Sequence, residues 1–305
     1  MNPSDDLLFR VFAVTVAAFF GLNVGSFLNV VAHRLPLQLS VVRPRSRCPN
    51  CLTQIRAIDN IPVLSWLLLG GRCRGCKGRI SARYAAVEIL TAALAVHVVV
   101  AIVLLPQPDR IAEVAAWARA GATFLLVAAM LAASLIDLDH RILPDEITIP
   151  GMWAGPAVAA FLPEIVFGRA SRGAFDVPSW VPDAWPVPLQ AALVSGLGVA
   201  AGGLILWALS AVGSRVLGKD AMGFGDVKFL GMIGGFLGPG LVLVALVLAA
   251  LVGSVVGVIR LLMTGDRYIP FGPFLAVGAY IALLHGHALV AWYLGFVLGA
   301  GAGGG

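Results

Sequence analysis

Gly223-Phe224-Gly225-Asp226 stands directly before the apolar run that continues to Gly240, which puts a carboxylate at the mouth of a membrane helix. An ionisable group within a transmembrane helix is costly, about 2.5–3.5 kcal/mol at its centre on insertion scales, unless something offsets it, so such a residue points to function. Asp137, closing the apolar run 114–137, is the second carboxylate in a comparable place. Glycines at 223 and 225 allow a bent backbone that other atoms can approach closely.

The composition decides the class. Of 305 residues, 59% are hydrophobic and 12% charged, and the mean hydropathy is +0.93. So few polar residues cannot coat a globule, so the fold is expected to be an all-α integral membrane bundle. Apolar runs at 7–32, 84–105, 114–137, 146–163, 188–213, 226–240, 241–262 and 271–298 predict about eight transmembrane helices. Gly238-Pro239-Gly240 can turn the sixth span tightly into the seventh, and Gly286 between His285 and His287 is a candidate interruption of the eighth. The first run follows Asp5 and Asp6 rather than a basic segment and reads as a retained span, not a cleaved signal. Gly21 and Gly25 allow a close helix approach, with Asn23 and Asn29 as interhelical hydrogen-bonding partners.

The net charge of +5 records topology rather than a nucleic-acid partner. Between Arg34 and Arg83 lie nine Arg and one Lys against a single acid, Asp59, so that loop is expected to face the cytoplasm. Threading the spans from this loop puts 16 basic residues on the cytoplasmic side and five outside, with Asp137 and Asp226 on the cytoplasmic face. Three segments follow: 1–33, a first transmembrane helix; 34–83, the basic loop; and 84–305, the membrane core carrying both acids. Trp180 and Trp185 are expected as interfacial anchors, and the Gly-rich tail 299–305 as frayed chain.

Within the loop, Cys48-Pro-Asn-Cys51 and Cys73-Arg-Gly-Cys76 form two C-x2-C pairs separated by 21 residues. Each pair can offer two thiolates to one ion, and four thiolates complete the tetrahedral shell of structural zinc. Two disulfides, in three possible connectivities, are the alternative, and a reducing compartment favours the metal. A basic loop of this size has little core, so metal binding would supply much of its folding energy. Its basic residues suit anionic lipid or an acidic substrate segment.

The acids lie in Ser134-Leu-Ile-Asp137-Leu-Asp139-His-Arg-Ile-Leu-Pro144-Asp145 and Gly218-Lys-Asp220-Ala-Met-Gly223-Phe-Gly225-Asp226-Val-Lys228. With Gly25-Ser-Phe-Leu-Asn29-Val-Val-Ala-His-Arg34-Leu-Pro36, the Cys pairs, Asn60-Ile-Pro62, Ser65-Trp66-Leu67, Ile80-Ser-Ala-Arg83-Tyr84 with Glu88, and Ile269-Pro-Phe-Gly-Pro273, these resemble the bacterial type IV prepilin peptidases. The resemblance covers most of the chain. It implies a bifunctional enzyme of the bacterial inner membrane that cleaves prepilin or pseudopilin leaders after Gly on the cytoplasmic side. It further implies N-methylation of the new N-terminus with S-adenosylmethionine as donor. The family's catalytic aspartates fall on Asp137 and Asp226. Ala85 stands where Pro commonly follows Arg-Tyr, and His33 where Tyr commonly precedes Arg34.

Two carboxylates sharing a site cannot both ionise easily, so one stays protonated and the other accepts a proton from water. Asp226 sits at a helix N-terminus, whose positive dipole end favours the carboxylate, and Asp137 at a helix C-terminus, so Asp226 is expected as the base and Asp137 as the acid. Asp139 and Asp145 read as loop-orienting or capping residues, Asp220 as a turn residue, and His140 as an exposed side chain or proton shuttle. Glu88 reads as a structural salt-bridge partner of Arg83 or Arg34, or else, with Arg83, as lining the methyl-transfer site. Paired intramembrane acids also occur in proton- or cation-coupled transporters, which is the alternative reading.

Overall fold

A computed structural model describes residues 3–105, 114–167, 181–182, 184–218, 222–265 and 269–297. Trp180, Asp220 and the tail 299–305 lie outside the described residues. The described chain is built from α1 (Pro3–Arg34), α2 (Leu64–Leu68), α3 (Ala82–Val99), α4 (Val114–His140), α5 (Asp145–Phe161), α6 (Glu164–Phe167), α7 (Val187–Leu217), α8 (Phe224–Thr264) and α9 (Gly272–Val297), with a π turn, Val100–Leu104, closing α3. Hydrocarbon offers no partner for a free backbone N–H or C=O, and helices bond those groups within one segment. Two compact units divide the chain, Met1–Ile136 and Asp137–Gly305.

In the first unit, α1 lies against α3 at the positions where α1 carries glycine. A methyl group on Gly21 would come within 2.6 Å of Ala92 Cα, and one on Gly25 within 2.7 Å of Glu88 Cα. Asn29 donates to the Tyr84 carbonyl across this pair at 3.1 Å, whereas Asn23 donates to Phe19 within its own helix. The contact is close because glycine leaves the backbone uncovered. Edge-to-face rings, Phe9 with Trp117 and Phe20 with Phe124, join α1 to α4.

In the second unit, α8 is 41 residues long, about 61 Å if straight and twice a hydrocarbon layer of about 30 Å. Its helical geometry breaks at Gly238, where φ is 73° and ψ 174°, a conformation open to glycine and strained for other residues. The chain reverses there. A methyl group on Gly202 of α7 would lie 2.9 Å from the Leu230 carbonyl carbon and 3.2 Å from Val242 Cγ2. Residues twelve apart in a straight helix are separated by about 18 Å, so Leu230 and Val242 meet one point on α7 only because the halves fold back on each other. The reversal falls on the predicted Gly238-Pro239-Gly240 turn.

Among the described residues, six helices are long and apolar enough to cross a membrane. The 17-residue α5, which holds Pro150 and Pro156, and the doubled α8 account for the remaining expected spans. The last helix runs through Gly286 without interruption. Glycines again let the helices of this unit approach: Gly155 of α5 rests on Gly235 at 2.9 Å, and Gly198 of α7 faces Gly234 and Gly238, both measured from an added Cβ.

Gly198→Ala places its methyl 2.8 Å from backbone atoms of Gly234 and Gly238, whereas Gly196→Ala meets nothing within 4 Å. Overpacking of this kind costs about 1–3 kcal/mol. Thermal unfolding of the purified protein in detergent should show Gly198→Ala lowered by several degrees, on the order of that cost, and Gly196→Ala at or above wild type.

Candidate metal centre and carboxylate site

The sulfurs of Cys48, Cys51, Cys73 and Cys76 all lie within 4.8 Å of one another. Cys48 and Cys76 are 3.8 Å apart and Cys51 and Cys73 4.0 Å. Four thiolates on an ion at about 2.3 Å in a tetrahedron stand about 3.8 Å apart, against about 2.05 Å for a disulfide. The cluster therefore fits a metal ion.

Both pairs are built by the same turn. Leu52 N–H donates to the Cys48 carbonyl at 2.9 Å and Cys48 N–H to Thr53; in the second pair Lys77 donates to Cys73 at 3.0 Å and Cys73 to Gly78. Leu52 and Lys77 take matching positive φ values of 58° and 59°. Hydrogen bonds from the Thr53 hydroxyl and N–H bring the Cys51 thiol down to about 6. Cys76 stands at about 11: the Gly78 N–H lowers it, but the neighbouring thiols and burial raise it further. Four thiols this close resist joint ionisation, and a cation among them removes that resistance.

The loop is fastened to the helices beside it. Arg74 donates to both carboxylate oxygens of Asp59 at 2.6–3.0 Å, which holds that carboxyl below its usual value. Trp66 Nε1 donates to the Ile80 carbonyl at 3.1 Å. Glu88, buried in α3, accepts the Val63 N–H at 2.7 Å. Val63 has φ 60° and ψ −50°, a backbone that a β-branched residue rarely adopts, so the carboxylate holds a strained point of the loop. Arg83 is exposed in the first turn of α3.

Asp137 lies in the last turn of α4 and is 6% exposed. Its Oδ2 accepts the N–H of Gly272 at 3.0 Å. Gly272 is the first residue of α9, so this donor is one of the four that a helix start leaves without intrahelical partners. A methyl group on Gly272 would lie 2.6 Å from Asp137 Oδ2. A side chain there would have to displace the carboxylate.

Asp226 is the third residue of α8, after Gly223 in an extended N-cap conformation. Its Oδ1 is buried without a hydrogen-bonding partner. Leu143, in the turn after α4, is common to both surroundings. Added methyls on Gly225 and Gly272 would lie 3.1 Å from Leu143 Cβ and 3.2 Å from its Cδ2. Two acids 89 positions apart thus share one neighbourhood.

The other acids take lesser places. Pro144, not Asp145, occupies the N-cap of α5; Asp145 pairs with Lys228 at 2.5 Å. Asp139 and His140 are exposed. Gly272 is the residue whose part the sequence left unread. Its signal was the Phe-Gly-Pro start of α9, where Pro273 has no N–H to satisfy and that of Gly272 is spare.

Comparison with known proteins covers both units. The Bacterial Peptidase A24 N-terminal domain matches residues 19–102 and the Type IV leader peptidase family residues 124–258. A prepilin leader peptidase/N-methyltransferase of Aeromonas salmonicida strain A449 is 38% identical over 92% of this chain and 93% of its own length. One from Stutzerimonas stutzeri is 35% identical over 97% and 99%. A type 4 prepilin-like proteins leader peptide-processing enzyme of Escherichia coli O78:H11 is 36% identical over 90% and 94%. No solved structure matches the chain.

The sulfur geometry leads to a direct expectation. Refolding of the metal-stripped protein with cobalt should produce thiolate-to-metal charge-transfer bands at one equivalent per chain, and Cys48→Ser with Cys73→Ser should remove them. Unchanged spectra in the double variant would mean that the four sulfurs do not bind together.

Proposed function

The chain belongs to the type IV leader peptidase family, and on that premise we propose that it is a membrane aspartyl endopeptidase acting through Asp137 and Asp226. It cuts the leader of prepilins or pseudopilins after Gly and then N-methylates the exposed residue. The observation that carries this reading is the shared neighbourhood of two acids from separate helix ends, joined through Leu143, Gly225 and Gly272. The relatives lend no support to a proton- or cation-coupled transporter.

The hydrogen bonding argues for protonation roles opposite to those the helix dipoles alone suggest. A hydrogen bond to a charged group contributes about 1.5–3 kcal/mol, whereas a dipole acting on a side chain in the first or last turn contributes about 0.3–1 kcal/mol. Asp137 has such a bond, from an N–H that itself begins a helix. Asp226 has a buried oxygen with no donor, the surroundings of a neutral carboxyl. Asp137 is therefore assigned as the base and Asp226 as the acid.

In the reaction, the Asp137 carboxylate takes a proton from water as the water oxygen attacks the scissile carbonyl. Asp226 gives its proton to the carbonyl oxygen, and the tetrahedral diol forms without free charge. Asp137 then returns its proton to the departing amine while Asp226 recovers one from the diol. The peptide bond breaks and both acids regain their starting states.

Zinc in the four-cysteine cluster would be structural, since four thiolates leave no open position for substrate. S-adenosylmethionine would supply the methyl group when bound. For that step the chain offers Glu88, whose buried carboxylate suits a cationic donor and the proton lost by an ammonium, with Arg83 nearby in sequence. The segment 34–83 serves as the metal-held loop and 84–305 as the protease core. Loop charge argues for a bacterial inner-membrane protein with loop and acids at the cytoplasmic face, beside anionic lipid and the pilin substrate.

Purified protein in lipid should cleave a prepilin-like substrate after Gly, as read by mass spectrometry, and Asp137→Asn and Asp226→Asn should each abolish cleavage. Infrared difference spectra should lose the protonated-carboxyl band in Asp226→Asn, while its loss in Asp137→Asn instead would reverse the two roles. Gly272→Ala, which drives a methyl into Asp137 Oδ2, should reduce cleavage about 100-fold with metal content unchanged. Wild-type cleavage in that variant would separate the Gly272 contact from catalysis.

A further inference from the structure

The turn between α4 and α5 is clamped at both ends to the helices that carry the two acids. At one end Arg141, with φ 58°, donates its N–H to the carbonyl of Asp137 at 2.9 Å. At the other, Asp145 pairs with Lys228, two residues past Asp226 on α8. Between these clamps, Pro144 is buried and Leu143 half-buried. Leu143 lies against the backbone on either side. A methyl on Gly225, next to Asp226, would stand 3.1 Å from Leu143 Cβ and 3.6 Å from its N. A methyl on Gly272, whose N–H holds Asp137, would stand 3.2 Å from Leu143 Cδ2.

We propose that Leu143 is a positioning residue for the reaction, a wedge between Gly225 and Gly272 that sets the separation of the Asp137 and Asp226 carboxylates. The proposal rests on the protease reading above and adds the part that holds its geometry. Neither glycine has a side chain with which to keep its distance, and both flank functional groups. Leu143 is the residue common to both, meeting Gly225 through its Cβ and backbone and Gly272 through Cδ2. Interior packing transmits small displacements because it lacks voids to absorb them, and a misplacement of about 1 Å at a reacting group can cost about 100-fold in rate.

Separation also governs titration. Two carboxylates that share a site release their protons in two macroscopic steps, and the interval between those steps depends on how strongly the groups interact. A change in spacing therefore moves the alkaline limb of the pH–rate profile, which a purely structural loss of packing would leave in place.

The test uses full-length protein in lipid with a prepilin-like peptide, comparing wild type with Leu143→Ala, Leu143→Val and Leu143→Met. Leu143→Ala is expected to lower kcat about 10- to 100-fold with KM little changed, and to displace the alkaline limb. Leu143→Val should fall between, and Leu143→Met, close in volume, should restore both rate and limb. Should the alanine variant not fold, the valine and methionine enzymes carry the comparison. A limb that superposes on wild type in the smaller variants overturns the proposal, whether or not the rate has fallen. Cleavage that survives Asp137→Asn and Asp226→Asn overturns the protease reading itself, whatever the Leu143 series does.

Discussion

Spare backbone donors in a membrane-spanning chain occur at helix starts, and the site depends on that constraint. Within a helix every N–H is used, and in hydrocarbon none can be left open. The N–H of Gly272, the first of α9, is free to bond Asp137, and Asp226 occupies the first turn of α8. A buried carboxylate thus gains a donor without opening any helix. The glycine at 272 follows from this arrangement, because a side chain there would occupy the space of the Asp137 carboxylate.

Glycine performs a different service along the helix shafts. Apolar side chains gain little from leaving lipid for another apolar surface, so association relies on close backbone contact. Gly198 against Gly234, Gly155 against Gly235 and Gly21 against Ala92 are contacts of that kind. The reversal at Gly238 serves the same end, since it presents both halves of α8 to α7 and brings residues 230 and 242 to one glycine. Small residues are therefore concentrated where the unit is most tightly packed, and substitutions there act on backbone rather than on flexible side chains.

The cysteine loop solves the opposite problem. It has much charge and few buried apolar side chains, so two short turns of identical hydrogen bonding carry the sulfurs to one point. Asp59 with Arg74 and Trp66 with Ile80 brace it, and Glu88 fastens it to α3 through Val63. In this way a loop without a core acquires a defined shape.

Composition and run lengths alone determined the helical membrane class, because apolar periodicity and span length are local properties. The glycine turn at 238, the Gly21 and Gly25 contacts and the clustering of the four cysteines were legible for the same reason: spacing fixes each of them within a short reach of chain. The two acids could be picked out by their positions at the ends of apolar runs. Their surroundings could not. That Gly272 reaches back to Asp137, that Leu143 touches both glycines and that Asp145 pairs with Lys228 instead of capping a helix are contacts between distant segments. The roles proposed for the acids differ from those the dipoles suggest on that account. Helix dipoles can be read from sequence and contribute little, whereas the stronger hydrogen bond comes from a helix that begins 135 positions away, and only the tertiary structure decides where that helix points.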